Sequence, residues 1–319
     1  MTLVLLDAAG APLGALPPVT AERPWWQETG PVVDAARTAY GVEIDVLRLL
    51  HADGDRVTYL AQLSAGDPPA ALRPVDVDLS PHPHRAPYAE PGGPAASVRW
   101  AVDALAALGS PGAVAVPDRT WNLSAVWRMD VGGAPVAWLK QVPAFFAHEP
   151  RMIGLISGFA PGLVPPLLAA GDLGRMLLAH VPGEHPFDGG ADMCERVVER
   201  WVPVQVEFAR RLDEVLAAGA PDARLSAEPF ARLAEEHHGA VDGLRELVAD
   251  LPDLLAGIAA CAMPDTLVHG DLHLGNIRAH GTGLVVLDWG DATAGPAAYD
   301  VLRLTAGLDD AATARVVAG

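Results

Sequence analysis

Leu267-Val268-His269-Gly270-Asp271-Leu272-His273-Leu274-Gly275-Asn276-Ile277, followed shortly by Leu284-Val285-Val286-Leu287-Asp288-Trp289-Gly290, is the stretch on which the reading of this chain turns. Short apolar runs flank each polar cluster. Their length predicts strands, with the polar side chains gathered in tight loops at the strand ends. Loops held between strands keep a few side chains in fixed positions, which is what chemistry on a small molecule needs.

The residue types fit phosphoryl transfer. That reaction asks little covalent work of a protein, but it needs charge neutralised and the reacting oxygens aligned. One carboxylate can orient an acceptor hydroxyl and take its proton. A second carboxylate and an amide oxygen, both hard donors, can hold magnesium against phosphates, and a lysine can balance the remaining charge. Asp271, Asp288, Asn276 and Lys140 supply these parts. Asp271 and Asn276 are spaced as in the kinase catalytic-loop pattern H-x-D-L-x-x-x-N, and Asp288-Trp289-Gly290 stands where D-F-G would stand.

Upstream, apolar residues alternate from Trp121 to Val131, predicting a half-buried strand, and Gly132-Gly133 suits a two-residue hairpin turn. The return strand, Pro135 to Val142, puts Lys140 on the face of Val136, Trp138 and Val142. An edge lysine reaching back to water is the plain explanation of such a position. Two acidic loops downstream supply a reason for a buried cation instead.

In these motifs the chain resembles the aminoglycoside phosphotransferase family, whose protein-kinase-like fold is shared by choline, fructosamine and other small-molecule kinases. The resemblance runs from about Val114 to Thr305 and is most specific over His269 to Asn276 and Leu287 to Asp300. It implies Asp271 as catalytic base or hydroxyl-positioning residue, and Asn276 and Asp288 as magnesium ligands. It further implies that Lys140 contacts the ATP phosphates, that Glu149 pairs with Lys140, and that Asn122 and Ser124 lie in or beside the loop over the phosphates. Backbone near Leu178 to Val181, including Ala179 and Val181, would form the adenine-binding hinge. Asp300 matches a position that braces the catalytic loop; His269 and His273 are read as shaping the backbone, and Asp291 as facing either solvent or an amine of the acceptor. Two features depart from the pattern. Pro150 confines Glu149 to the first turn of its helix, which bears on its pairing with Lys140, and the chain ends at Gly319, soon after Asp300.

The expected fold is therefore α+β, a protein-kinase-like bilobal arrangement with a β-rich N-lobe over residues 95–181 and a helical C-lobe over 182–319. A small α+β unit over 1–65 precedes it: a hairpin from Leu3 to Leu16, a helix from Pro31 to Tyr40 stopped by Gly41, and a strand pair turned at Ala52-Asp53-Gly54-Asp55. Its outline resembles a Nudix-like module but lacks the glutamate-rich helical box. Residues 66–94 carry eight prolines and read as a linker. Beyond Gly183 the apolar positions Val197, Val198, Trp201, Val204, Phe208, Leu212 and Val215 make one long stripe kinked at Pro203. A second helical region spans about Pro229 to Ala262, interrupted near Pro252.

With 319 residues, half of them hydrophobic, the chain can bury a large core. No apolar run is long enough to cross a bilayer and no secretion signal opens the sequence, so a cytoplasmic protein is expected. Cys194 and Cys261 read as two reduced, buried thiols. A formal charge of −18 argues against a nucleic-acid partner and mildly favours a cationic acceptor. The expectation is an ATP- and Mg2+-dependent O-phosphotransferase, with GTP left open as donor. The acceptor would be a hydroxyl of an aminoglycoside-like antibiotic, an amino sugar, a sugar or an amino alcohol. Two other readings stay open: a metal-dependent hydrolase using His269, Asp271 and His273 as ligands, and a catalytically inactive nucleotide-binding regulator. The oligomeric state is not legible.

Overall fold

The computed structural model describes residues 1–22, 25–237 and 241–318. They divide into two compact units: Met1–Pro150 with Pro166–His180, and Arg151–Pro165 with Val181–Gly319.

The first unit opens with β1 (Thr2–Leu6), β2 (Pro12–Ala15), α1 (Gly30–Tyr40), β3 (Glu43–Asp53) and β4 (Arg56–Ala65). The four strands form one mixed sheet in the order β2-β1-β4-β3, with β1 parallel to β4. Val32, Val33 and Ala36 of α1 are buried against Leu3, Leu5, Val57 and Tyr59 of that sheet. Gly41 ends the helix at φ 68°, in the left-handed conformation that glycine adopts without strain, and its N–H donates to the Arg37 carbonyl.

Next come α2 (Gly93–Ala107), β5 (Val114–Thr120), β6 (Ala125–Val131), β7 (Ala134–Gln141), α3 (Glu149–Phe159), which belongs to the second unit from Arg151 on, β8 (Leu167–Ala170) and β9 (Arg175–Ala179). The five strands form an antiparallel sheet ordered β5-β6-β7-β9-β8. The β6–β7 hairpin turns at Gly132-Gly133, both at positive φ, as a primed turn requires. Ala137 and Leu139 of β7 pack with Trp127 and Met129 beneath α2, leaving Trp138 and Lys140 on the opposite face. The strand expected from Trp121 to Val131 begins only at Ala125. Alternation misleads there because the Trp121 N–H donates to the Ser124 carbonyl at 2.9 Å, closing a turn between β5 and β6. The chain before α1 caps the exposed edge of this sheet: Thr120 N–H donates to the Gln27 carbonyl and Thr29 N–H to the Asp118 carbonyl.

The second unit holds α4 (Gly190–Ala209), α5 (Leu212–Ala217), α6 (Ala227–His237), α7 (Leu244–Ala260), β10 (Asp265–Val268), β11 (Ile277–His280), β12 (Gly283–Val286), β13 (Thr293–Pro296), α8 (Ala298–Thr305) and α9 (Asp310–Ala318). β10 pairs with β13 and β11 with β12, both antiparallel. The predicted stripe is buried at Val197, Trp201, Val204, Phe208 and Val215, but it belongs to two helices, because α4 ends at Ala209. Pro252 does not interrupt the second region: it lies inside α7, where losing one backbone donor is tolerated, and residues 241–243 just before α7 are the non-helical ones. Cys194 is buried as expected, whereas Cys261 is exposed at the end of α7, a helix that buries none of its side chains completely. Among the described residues no helix is long and apolar enough to cross a membrane.

Candidate active site

The loop from His269 to Asn276 joins β10 to β11, and its shape is set by a residue far along the chain. Asp300, in the first turn of α8, is wholly buried. Its Oδ2 accepts the His269 N–H at 2.9 Å, the Trp201 indole N–H at 2.8 Å and a Gln205 amide N–H at 3.1 Å, while Oδ1 accepts the Gly270 N–H at 3.0 Å. Burial pushes this carboxyl above the usual range, and the neighbouring His269 ring with the His269, Gly270 and Trp201 N–H groups works against that shift. The sharp bend at Gly270 has φ +86°, and a Cβ there would lie 2.3 Å from the Asp291 carbonyl oxygen, so only glycine fits.

His269 is equally enclosed. Its Nε2 lies 2.9 Å from the Leu287 carbonyl, its Nδ1 accepts the Asp271 N–H at 3.2 Å, and the Trp289 ring packs edge-on against it with centroids 4.5 Å apart. Both ring nitrogens are thus engaged by the backbone, which overturns the hydrolase reading: His269 has no lone pair to offer a metal. His273 spends its Nδ1 on the Gly275 N–H at 3.0 Å, and among the described residues no three His, Cys, Asp or Glu side chains cluster as a metal site. Burial lowers the His273 pKa, so the ring is held neutral.

Asp271 is about one-third exposed and carries three side-chain contacts. Its Oδ1 accepts Arg303 Nε–H at 2.7 Å, and its Oδ2 lies 3.2 Å from Asn276 Nδ2 and 3.4 Å from His273 Nε2. The Asn276 amide nitrogen also donates to the Asp271 carbonyl at 2.9 Å. Both of its bonds use Nδ2, so Oδ1 is the atom that a cation can take. The Leu287 N–H donates to the Asn276 carbonyl at 2.8 Å, which ties the residue before Asp288 to the catalytic-loop asparagine. Asp288 itself is exposed and sits at φ +62°, an unusual backbone state for a non-glycine residue and one that clusters at functional sites. An exposed carboxylate tethered beside a free amide oxygen suits magnesium, which takes one or two protein oxygens and completes its shell with phosphates and water.

In the first unit, Lys140 is 9% exposed and its Nζ lies 2.7 Å from Glu149 Oε1, with Glu149 fully buried. The pair forms although Pro150 holds the glutamate at the start of α3, because β7 and that helix start present the two side chains to each other. Ser124 is buried in the β5–β6 turn, where its Oγ accepts the Trp121 indole N–H at 2.9 Å and leaves its own hydroxyl proton to donate. Ala179 ends β9, opposite Ala137 of β7, and Val181 opens the second unit. Asp291 is exposed.

Three contributors were not legible in the sequence. Trp201 and Gln205 reach Asp300 from about a hundred residues earlier, and Arg303 reaches Asp271 from α8. Only Arg303 left a local signal, one turn of helix after Asp300.

A five-stranded antiparallel sheet bearing a buried Lys–Glu pair, with an Asp-x-x-x-x-Asn loop and a paired Asp-Trp-Gly turn, defines a protein-kinase-like phosphotransferase. Solved structures of similar fold include aminoglycoside 2'-phosphotransferase-IIIa in its GDP complex, 17% identical with a TM-score of 0.51 over 70% of this chain and 82% of that one. Macrolide 2'-phosphotransferase MphH from Brachybacterium faecium is 15% identical, with a TM-score of 0.52 over 70% of this chain and 82% of that one. The model of the phosphotransferase enzyme family, APH, matches residues 141–319, and the chain belongs to that family. It is a kinase of small molecules. No curated protein matches the chain.

Proposed function

We propose that the protein transfers the γ-phosphoryl group of ATP, or of GTP, to a hydroxyl of a small molecule with the help of Mg2+. The observation that supports this reading most is the hydrogen-bond network that links Asp271, Asn276 and Leu287, the residue before Asp288, across one loop pair.

In this reading Asp271 accepts the acceptor's hydroxyl proton as the new O–P bond forms and the bond to the leaving diphosphate breaks. Asn276 Oδ1 and the Asp288 carboxylate would hold magnesium, which, when bound, neutralises the phosphate charge and aligns the γ-phosphoryl group. Lys140, held by its ion pair with Glu149, would contact the phosphates. Ser124 would donate to them from the β5–β6 turn. Backbone groups at Ala179 and Val181 would receive the base. The GDP bound in the solved aminoglycoside 2'-phosphotransferase-IIIa supports nucleotide use in this fold. The similar structures act on chemically different acceptors by their names, so the fold leaves the acceptor open among aminoglycoside-like antibiotics, sugars, amino sugars and amino alcohols. The cytoplasm is the compartment that supplies such a nucleotide donor.

Acceptor-dependent release of ADP or GDP across such a panel tests the reading. Asp271→Asn should abolish transfer while nucleotide with magnesium still binds, and Asp288→Ala should weaken the metal-dependent part of that binding. Unchanged turnover by Asp271→Asn would refute the mechanism.

A further inference from the structure

The guanidinium of Arg303 is only partly spent. Its Nε bonds Asp271 Oδ1, its side chain remains 43% exposed, and neither terminal nitrogen has a protein partner among the described residues. Those two nitrogens lie on the group that touches the proposed base. An acceptor hydroxyl approaching Asp271 therefore comes within reach of an exposed, permanently charged fork of N–H donors. The same face of α8 carries Tyr299, one turn earlier and 57% exposed.

Asp271 is matched by Arg303. The exposed carboxylates Asp288 and Asp291 lie elsewhere on the loop pair, but a cationic group beside Asp271 is repelled by the guanidinium at contact distance. An oxyanion meets an open bidentate donor. The overall charge of −18 gives a different signal, but charge spread over the surface is screened within about 8 Å at physiological salt, so contacts at the site dominate selection.

Resting on the phosphotransferase reading above, we propose that Arg303 is the specificity-determining residue of the acceptor site. It selects hydroxyl compounds that carry an anionic oxygen group, a carboxylate or a phosphate ester, a few bonds from the hydroxyl that is phosphorylated. This narrows the acceptor away from amino sugars and amino alcohols.

The test uses the full chain and matched acceptor sets: a polyol or hexose, its carboxylate derivative, its phosphate ester and its amino derivative. Acceptor-dependent nucleotide turnover is measured for wild type, Arg303→Ala and Arg303→Lys, with nucleotide affinity measured alongside. The wild type should prefer an anionic member over its neutral counterpart by roughly tenfold or more in kcat/KM, the worth of one charge-assisted pair. Whether the carboxylate or the phosphate member leads identifies the source of the oxyanion. Arg303→Ala should lose that preference chiefly through KM for the anionic member, and Arg303→Lys should retain part of it. A wild-type preference for neutral or amino members overturns the proposal. So does an equal loss by Arg303→Ala on anionic and neutral members, which would make Arg303 a brace for Asp271 only. Turnover of no member despite intact nucleotide binding would instead remove the phosphotransferase reading, and this inference with it.

Discussion

Replacing Asp300 by alanine removes the one acceptor shared by four buried donors. These are the backbone N–H groups of His269 and Gly270, the Trp201 indole and the Gln205 amide, at 2.8 to 3.1 Å. A buried donor left without a partner costs roughly 1–3 kcal/mol. Water entering the space vacated by the carboxylate recovers part of this, so the net loss should be about 3–5 kcal/mol. That is a large share of a typical folding free energy of about 5–15 kcal/mol, and at about 2–4 °C per kcal/mol it corresponds to a drop in Tm of roughly 10 °C. Calorimetry measures the drop. Hydrogen exchange locates it, because the His269 and Gly270 amides should lose protection ahead of the remaining β10–β13 amides. Asp300→Asn keeps the volume but replaces one acceptor oxygen with a donor, and should fall between wild type and alanine. A loss below about 1 kcal/mol, or unchanged protection at those two amides, would refute the claim that Asp300 organises the loop.

Three further substitutions have definite expected outcomes. Gly270→Ala should destabilise by roughly 2–4 kcal/mol and stop turnover, since both the left-handed backbone and the Asp291 carbonyl oppose a Cβ. Gly281→Ala, at φ +56° with open space around it, should cost less than about 1.5 kcal/mol by the same unfolding assay and leave turnover intact. Asp45→Asn should stabilise at neutral pH. Burial raises the Asp45 pKa, so the protonated form folds better, and the advantage is fully present below the unfolded value of 3.8 and is lost as pH rises through the higher folded value. The Tm of Asp45→Asn minus that of wild type should be near zero in acid and grow with pH; a constant difference would refute the assignment.

The loops at His269–Asn276 and Asp288–Gly290 were readable because their patterns lie in contiguous residues, and short strands on either side are all that is needed to hold such loops. The hairpin at Gly132-Gly133 and the stop at Gly41 were readable for a similar reason, since each rests on the φ that a single residue type permits. Alternation, by contrast, is blind to a turn made from strand-like residues, so Trp121 to Ser124 was read as strand. Proline was over-weighted at position 252, where the rest of the helix carries it.

Family membership and the kinds of side chain on offer are legible in the linear order of residues, because both rest on local spacing. That Lys140 meets Glu149 across a proline, that Asp300 gathers four donors into one buried knot, and that Arg303 reaches Asp271 with two nitrogens to spare emerges only from the folded chain. The physical reason is that a hydrogen bond closes over about 3 Å of space whatever the separation along the chain, and nothing in a linear pattern records that convergence.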